Sequence, residues 1–214
     1  MKKAIIFDFD GTIANTIKLH NDLEIDILQR FGIHIERSIL RKTCAGVSFE
    51  VTMRRLFKEH NVLNADPSIL IIEKRRRMLE GIKTGLEFMP DVLNLIKMLK
   101  EDGFSLVIGT TSRHEFVDEC VKILDIDKYF DYVVCAEDAN NKTKPAPDIF
   151  LKCAELLNVN PKNCIVIEDG VKGVIAANAA NMKSIAYAHD EDSGDFPTNK
   201  VIKDFSELSL DDFN

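Results

Sequence analysis

The stretch "KKAIIFDFDGTIANT", Lys2 to Thr16, decides the fold. An apolar run, Ala4 to Phe7, ends in Asp8, and a second carboxylate follows at Asp10, just ahead of Gly11. Four apolar residues bounded by charge and then by glycine predict a buried strand of a parallel sheet. Alternation along that strand carries Asp8 and Asp10 towards a common side where it ends. Two acids crowded at the mouth of an apolar layer repel each other and resist desolvation, so their placement needs a chemical reason.

Beyond Gly85 the pattern supplies the rest of the sheet. Helical periodicity over Asp91–Glu101, Glu115–Leu124, Pro147–Leu157 and Val171–Ala180 alternates with the apolar runs "FSLVIGTT", "DYVVCAED", "NCIVIEDG" and "KSIAYA". "NKVIKDF" reads as a weaker sixth strand. Strands alternating with helices imply right-handed βαβ crossovers and hence an α/β fold with a doubly wound parallel sheet. Between the first strand and this region, Ile17–Phe31 (closed by Gly32), Ser38–Ala45, Glu50–His60 and Pro67–Ile82 all read as helices. The expected organisation is a core of residues 1–15 and 86–214, interrupted by an α-helical cap of residues 16–85. That insertion leaves from the edge where ligands bind in doubly wound sheets, so it is expected over the mouth as a lid.

Composition narrows the function classes. The chain has 214 residues, 45% of them hydrophobic and 29% charged, an ordinary globular balance. A formal net charge of −7 disfavours nonspecific nucleic-acid binding, which needs a basic footprint. Thr16 to Thr84 nevertheless carries a balance of +4, against −11 for the remainder, which reads first as a solvated helical surface. The five cysteines are odd in number, never three apart and mostly set in apolar runs. They read as small buried hydrophobes in a reducing compartment. Without a leader-like segment or an apolar run long enough to span a bilayer, the chain is expected to be soluble and cytoplasmic.

The strand-end rule sorts the polar residues. It brings together Asp8 and Asp10, then Thr110, Thr111 and Ser112, then Glu137 and Asp138, then Glu168 and Asp169, with Lys144 in the loop after the third of these strands. Carboxylates without histidine or cysteine among them suit a hard cation such as Mg²⁺. A threonine hydroxyl, backbone N–H groups and a lysine suit the remaining oxygens of a phosphoryl group. An aspartate can itself be the nucleophile, forming an acyl phosphate. Neither a P-loop nor a dinucleotide-binding glycine motif is present. Glu137 and Asp138 read as loop caps, and Arg113 as a helix-start surface residue.

Four ordered stretches carry a resemblance. "DFDGTIANT", "IGTT", "KTKPAPDIF" and "IVIEDGVKGVIAANAANM" resemble the four motifs of the haloacid dehalogenase superfamily, in order and with the expected spacing. The likeness covers essentially the whole chain, and the helical insertion resembles the cap of the β-phosphoglucomutase-like and phosphoglycolate phosphatase-like group. It implies a Rossmann-like core with Asp8 as nucleophile and Asp10 as the acid that protonates the leaving oxygen and then activates water. Asp8, the Asp10 carbonyl and Asp169 would ligate Mg²⁺, with Glu168 a nearby or alternative ligand. Thr110 and Lys144 would hold phosphoryl oxygens, helped by the backbone N–H groups of Thr111 and Gly11. Gly170 departs from the motif, where many relatives carry serine.

The resemblance leaves phosphatase and phosphomutase open, because both form an aspartyl phosphate and differ in the acceptor. In the cap, "KTCAGVSFE" resembles the substrate loop of β-phosphoglucomutases, where a lysine precedes the glycine and an arginine follows the serine. This chain has Ala45 before Gly46, and Phe49 after Ser48, which removes the most obvious grip on a second phosphate. Lys42 or Arg41 could compensate from one turn earlier. His20 is a candidate substrate-facing residue, and the Arg75–Arg77 run reads as a solvated face or as a contact with an anionic substrate. The expectation is a Mg²⁺-dependent hydrolase of a small phosphomonoester, a sugar phosphate or a phosphoglycolate-like compound, with a phosphomutase as alternative. A non-catalytic phospho-acceptor module fits less well, since receivers of that kind place the acceptor after their third strand and lack such an insertion. The expected partner is a small phosphorylated metabolite rather than nucleic acid or membrane, and the chain is expected to be a monomer or weak dimer.

Overall fold

The computed structural model describes residues 3–44, 49–189 and 195–213, and of residues 41–44 the backbone alone. The chain divides into two compact units, one of Met1–Asn15 and Leu86–Asn214, the other Thr16–Gly85.

Among the described residues, the larger unit is built on six parallel strands: β1 (Ala4–Phe7), β2 (Ser105–Gly109), β3 (Tyr132–Val134), β4 (Cys164–Glu168), β5 (Lys183–Tyr187) and β6 (Lys200–Ile202). Their spatial order is β3-β2-β1-β4-β5-β6, the doubly wound arrangement expected from the sequence. β1 lies at the centre, with Ile5 opposite both Leu106 and Ile165. All four residues of β1 are fully buried, which is why that strand reads as an unbroken apolar run. Winding reverses between β1 and β4, and a crevice opens at such a reversal beyond the carboxyl ends of the strands.

Helices α5 (Val92–Glu101), α6 (His114–Leu124), α7 (Asp148–Leu157) and α8 (Val171–Ala179) follow the strands of this unit. Ile149, Phe150, Cys153 and Ala177 from α7 and α8 share one apolar cluster with Ile6, Val107, Val134 and Val166 of the sheet. Phe7 points to the other face and meets Phe130 edge-on at 5.9 Å. Cys120, Cys135, Cys153 and Cys164 are free and buried, and burial pushes each thiol up, Cys164 to about 11. They are packing residues, as their apolar neighbours imply.

The smaller unit consists, among the described residues, of α1 (Ile17–Arg30), α2 (Arg37–Cys44), α3 (Phe49–Glu59) and α4 (Pro67–Gly85). Ile27, Leu28, Ile33, Leu40, Met53, Leu56, Phe57 and Leu70 form its core, with the Phe31 and Phe57 rings 4.8 Å apart. One ion pair is drawn into this small core: Lys74 of α4 donates to Glu24 of α1, and their side chains are 10% and 13% exposed. The same ammonium lies 4.7 Å from the Phe49 ring centroid. No described helix is long and apolar enough to cross a membrane.

Candidate active site

β1 delivers Asp8 to the crevice. Its backbone N–H continues the ladder by donating to Ile167 O at 2.9 Å, so its backbone is fixed against β4 although the strand proper ends at Phe7. The chain then turns sharply at Gly11, whose φ of +85° favours glycine. Gly11 N–H donates to Ala14 O at 2.9 Å, so that donor already has a partner.

Lys144 is the hub. Its ammonium donates to Asp8 Oδ1, to Glu168 Oε1 at 2.7 Å and to Gly109 O at 3.3 Å, and lies 4.8 Å from the Phe150 ring centroid. Asp8, Lys144 and Glu168 are only 6%, 9% and 3% exposed, so this is a nearly dry charge cluster. Removing one partner from such a cluster leaves an uncompensated buried charge. The second oxygen of Glu168 receives the Gly170 N–H at 2.6 Å, which fixes that carboxylate at both ends. Gly173 makes the fit possible: a Cβ there would stand 1.8 Å from Glu168 Oε1.

Electrostatics follow from burial. Desolvation pushes the Asp8 carboxyl well above the usual carboxylate range; Lys144 opposes this, while Glu168 and Asp169 add to it. Glu168 is raised by burial too, again against Lys144. For Lys144 burial works against the charge, but Asp8 and Glu168 outweigh it and hold the ammonium above the ordinary lysine range. Asp8, Glu168 and Asp169 each place a carboxylate oxygen within 4.8 Å of the others. This all-oxygen donor set, carrying more negative than positive charge, fits a hard divalent cation.

Asp10 is tied to the loop that follows β2. Its Oδ2 accepts the Ser112 hydroxyl at 2.5 Å, and Ser112 N–H donates to Thr110 Oγ1 at 3.0 Å. Thr110 is 1% exposed and its own N–H reaches Val134 O at 3.0 Å, whereas Thr111 is partly exposed. Asp138 caps the turn after β3 by accepting Cys135 N–H at 2.8 Å, as its sequence context implies, whereas Glu137 forms an ion pair with Arg113 at 3.0 Å.

The larger unit thus gathers Asp8, Asp10, Gly11, Thr110, Thr111, Lys144, Glu168 and Asp169 around the ends of β1, β2 and β4. The remaining sequence candidates belong to the smaller unit. His20 is partly exposed on α1, and Phe49 begins α3 beneath Lys74. Ala45 and Gly46 lie outside the described residues. Arg76 pairs with Glu80 at 2.8 Å and Arg77 with Asp26 at 2.6 Å, so both are engaged within their own unit. Two neighbours of Asp169 escaped the sequence reading: Thr12 Oγ1 at 3.5 Å and His189 Nε2 at 3.9 Å. The strand-end rule could have found His189, which stands two residues beyond β5.

Comparison with known proteins agrees with this geometry. Hexitol phosphatase B of Escherichia coli O157:H7 is 26% identical over 98% of this chain and 95% of its own length. Fructose-1-phosphate phosphatase YqaB of Escherichia coli K12 is 29% identical over 85% and 94%. Among solved structures, the β-phosphoglucomutase of Clostridium difficile superposes with a TM-score of 0.79 at 27% identity, covering 99% of this chain and 95% of that one. The family model for haloacid dehalogenase-like hydrolases matches residues 5–187, and the chain belongs to that family.

Proposed function

We propose that this protein is a Mg²⁺-dependent phosphatase acting on a small sugar-phosphate-type monoester through an aspartyl phosphate on Asp8. The observation that carries the reading is the buried Asp8 carboxylate, held by Lys144 beside Glu168 and Asp169 at the sheet's switch point. Asp8, Asp169 and the Asp10 carbonyl would hold the cation, and Glu168, with each oxygen already bonded, serves chiefly to anchor Lys144. The bound cation would offset the phosphoryl charge and favour ionised Asp8, the form that attacks. An Asp8 oxygen bonds to phosphorus as the ester P–O bond breaks, and the Asp10 carboxyl gives its proton to the departing alkoxide oxygen. Asp10 then takes a proton from water, whose oxygen attacks phosphorus. The Asp8–phosphorus bond breaks, which releases phosphate and restores both aspartates. Lys144 and Thr110 bind phosphoryl oxygens, and Ser112 orients Asp10.

Ala45 and Phe49 stand where the mutase substrate loop carries cations, and Lys74, Arg76 and Arg77 each have an acidic partner, which supports a monophosphate substrate. Two curated relatives are named as a hexitol and a fructose-1-phosphate phosphatase, which supports the sugar-phosphate class. The likeness to a β-phosphoglucomutase structure keeps a phosphomutase as the second reading.

The test is phosphate release from a panel of sugar and polyol phosphates, phosphoglycolate, nucleotides and pyrophosphate with Mg²⁺. Release should require the metal and disappear in Asp8→Asn, because an amide is a far poorer nucleophile. Undiminished release in that variant would refute the mechanism. Rapid conversion of β-glucose 1-phosphate to glucose 6-phosphate with little free phosphate would establish the mutase instead.

A further inference from the structure

The loop after β2 carries Thr110, Thr111 and Ser112, and it is fastened to the turn after β3 by contacts that the chemistry above does not use. Ala136 N–H donates to Ser112 O at 3.0 Å, and Arg113 Nε lies 3.0 Å from Glu137 Oε1. Asp138 Oδ2, which receives Cys135 N–H, also lies 2.7 Å from His114 Nε2. The other ring nitrogen, Nδ1, is 3.4 Å from Asp118 Oδ1, one turn along α6. His114 therefore stands between carboxylates from two elements, two residues beyond the serine whose hydroxyl holds Asp10.

A histidinium at the first residue of a helix is opposed by the helix dipole. The acids around it reverse the balance: Asp118 on its own helix, and Glu137 and Asp138 on the facing turn, with Arg113 already paired to Glu137. Burial lowers the tendency of the ring to charge, but the hydrogen bonds to Asp138 and then Asp118 prevail and hold its pKa above the usual histidine value. The charged ring donates through both nitrogens. Once neutral it keeps one N–H, for Asp138, and turns a lone pair towards the Asp118 carboxylate. Deprotonation therefore leaves the link to the facing turn as a neutral hydrogen bond to Asp138 in place of a charge-assisted one and gives up the brace to Asp118 that orients the ring, which weakens the fastening without parting it.

We infer that His114 is a positioning residue that, as a histidinium, locks the Thr110–Arg113 loop against the Ala136–Ala139 turn and so keeps Ser112 on Asp10. Only the kinetic consequence rests on the phosphatase reading. The coupling between ring and loop belongs to the fold.

The experiment has two arms that fail separately. In the first, amide resonances of Ser112 and Ala136 and the His114 ring are followed by NMR from about pH 5 to pH 9 in wild type, His114→Gln and Asp118→Asn. The two amides should titrate with the ring's midpoint, lie flat in His114→Gln, and follow the ring to a lower midpoint in Asp118→Asn. In the second arm, wild-type kcat for phosphomonoester hydrolysis should fall about three- to tenfold as the ring deprotonates, with KM within about twofold. His114→Gln should sit on the lower plateau throughout. Amides that ignore the ring's titration overturn the coupling, whatever the substrate is. Amides that follow it, with a pH profile of kcat unchanged in His114→Gln, overturn the link to Asp10. If His114→Gln does not fold, Asp118→Asn decides: its midpoint must drop in both readouts together. A wild type without phosphatase activity refutes the functional reading and leaves the first arm to judge the coupling.

Discussion

Gly173→Ala should damage the protein through one contact. The substitution favours the helix itself by about 1 kcal/mol, since alanine is the better helix former. Against this, the new Cβ would lie 1.8 Å from Glu168 Oε1 and 1.9 Å from Cδ, a distance no carboxylate can share. Glu168 must swing away, losing Lys144 at 2.7 Å and the Gly170 N–H at 2.6 Å while remaining in a site where it is 3% exposed. Breaking a buried, hydrogen-bonded ion pair costs about 3–5 kcal/mol, so the net loss is about 2–4 kcal/mol. For a chain of this size that lowers Tm by roughly 5–15 °C. Gly170→Ala is the control on the same carboxylate: its Cβ would meet Glu168 Oε2 at 3.3 Å from an ordinary extended backbone, so Tm should stay within about 3 °C. Thermal melts of both variants in metal-free buffer near neutral pH make the comparison. A Gly173→Ala protein that melts at or above wild type would refute the claim that this glycine makes room for the Glu168–Lys144 link.

Two further outcomes follow from the charge clusters. Because Asp8 holds its proton more tightly folded than unfolded, the metal-free protein should lose stability as pH rises from the ordinary carboxylate range through the raised folded value. Mg²⁺ binding across that window should release protons and tighten with pH, and calorimetry in buffers of differing ionisation enthalpy reads both; a pH-independent affinity without proton release would count against the site. In the smaller unit, Lys74→Met alone should cost about 3–5 kcal/mol and Glu24→Leu with Lys74→Met much less, measured by denaturant unfolding. Strictly additive losses would show that the two charges do not depend on each other.

What the sequence disclosed was local in origin. The apolar run before Asp8 predicts β1 because a central parallel strand is buried on both faces, and Lys144 stands out because Pro145 and Pro147 after it rigidify its loop. "DYVVCAED" misleads at its end: only Tyr132–Val134 pair, and the rest becomes a 3-10 turn because the Asp138 side chain takes the Cys135 N–H. α4 runs past Ile82 to Gly85, its last turn supported by the Thr84 hydroxyl on Gly81 O. Contacts set by sheet register were not legible. Ser112 meets Asp10 across 102 positions, and the claim of Gly173 on Glu168 depends on how closely α8 lies against β4. Residue type alone distinguishes neither.

The chain leaves the core at Asn15 and re-enters at Leu86, and these ends are stitched to each other. Asn15 N–H donates to Glu87 O at 2.9 Å, Met89 N–H donates to Ile13 O at 2.8 Å, and Ala14 bridges Phe88 antiparallel. For the sheet of the larger unit, the whole insertion is therefore no more than the tip of a hairpin whose neck is already tied. Closing a loop costs free energy only as the logarithm of its length, about 0.6 kcal/mol per doubling. Whatever is threaded through that neck can be lengthened, trimmed or exchanged at small expense to the sheet. Asp8 and Asp10 lie on the near side of the knot, so the insertion can be rewritten while the two aspartates stay where they are.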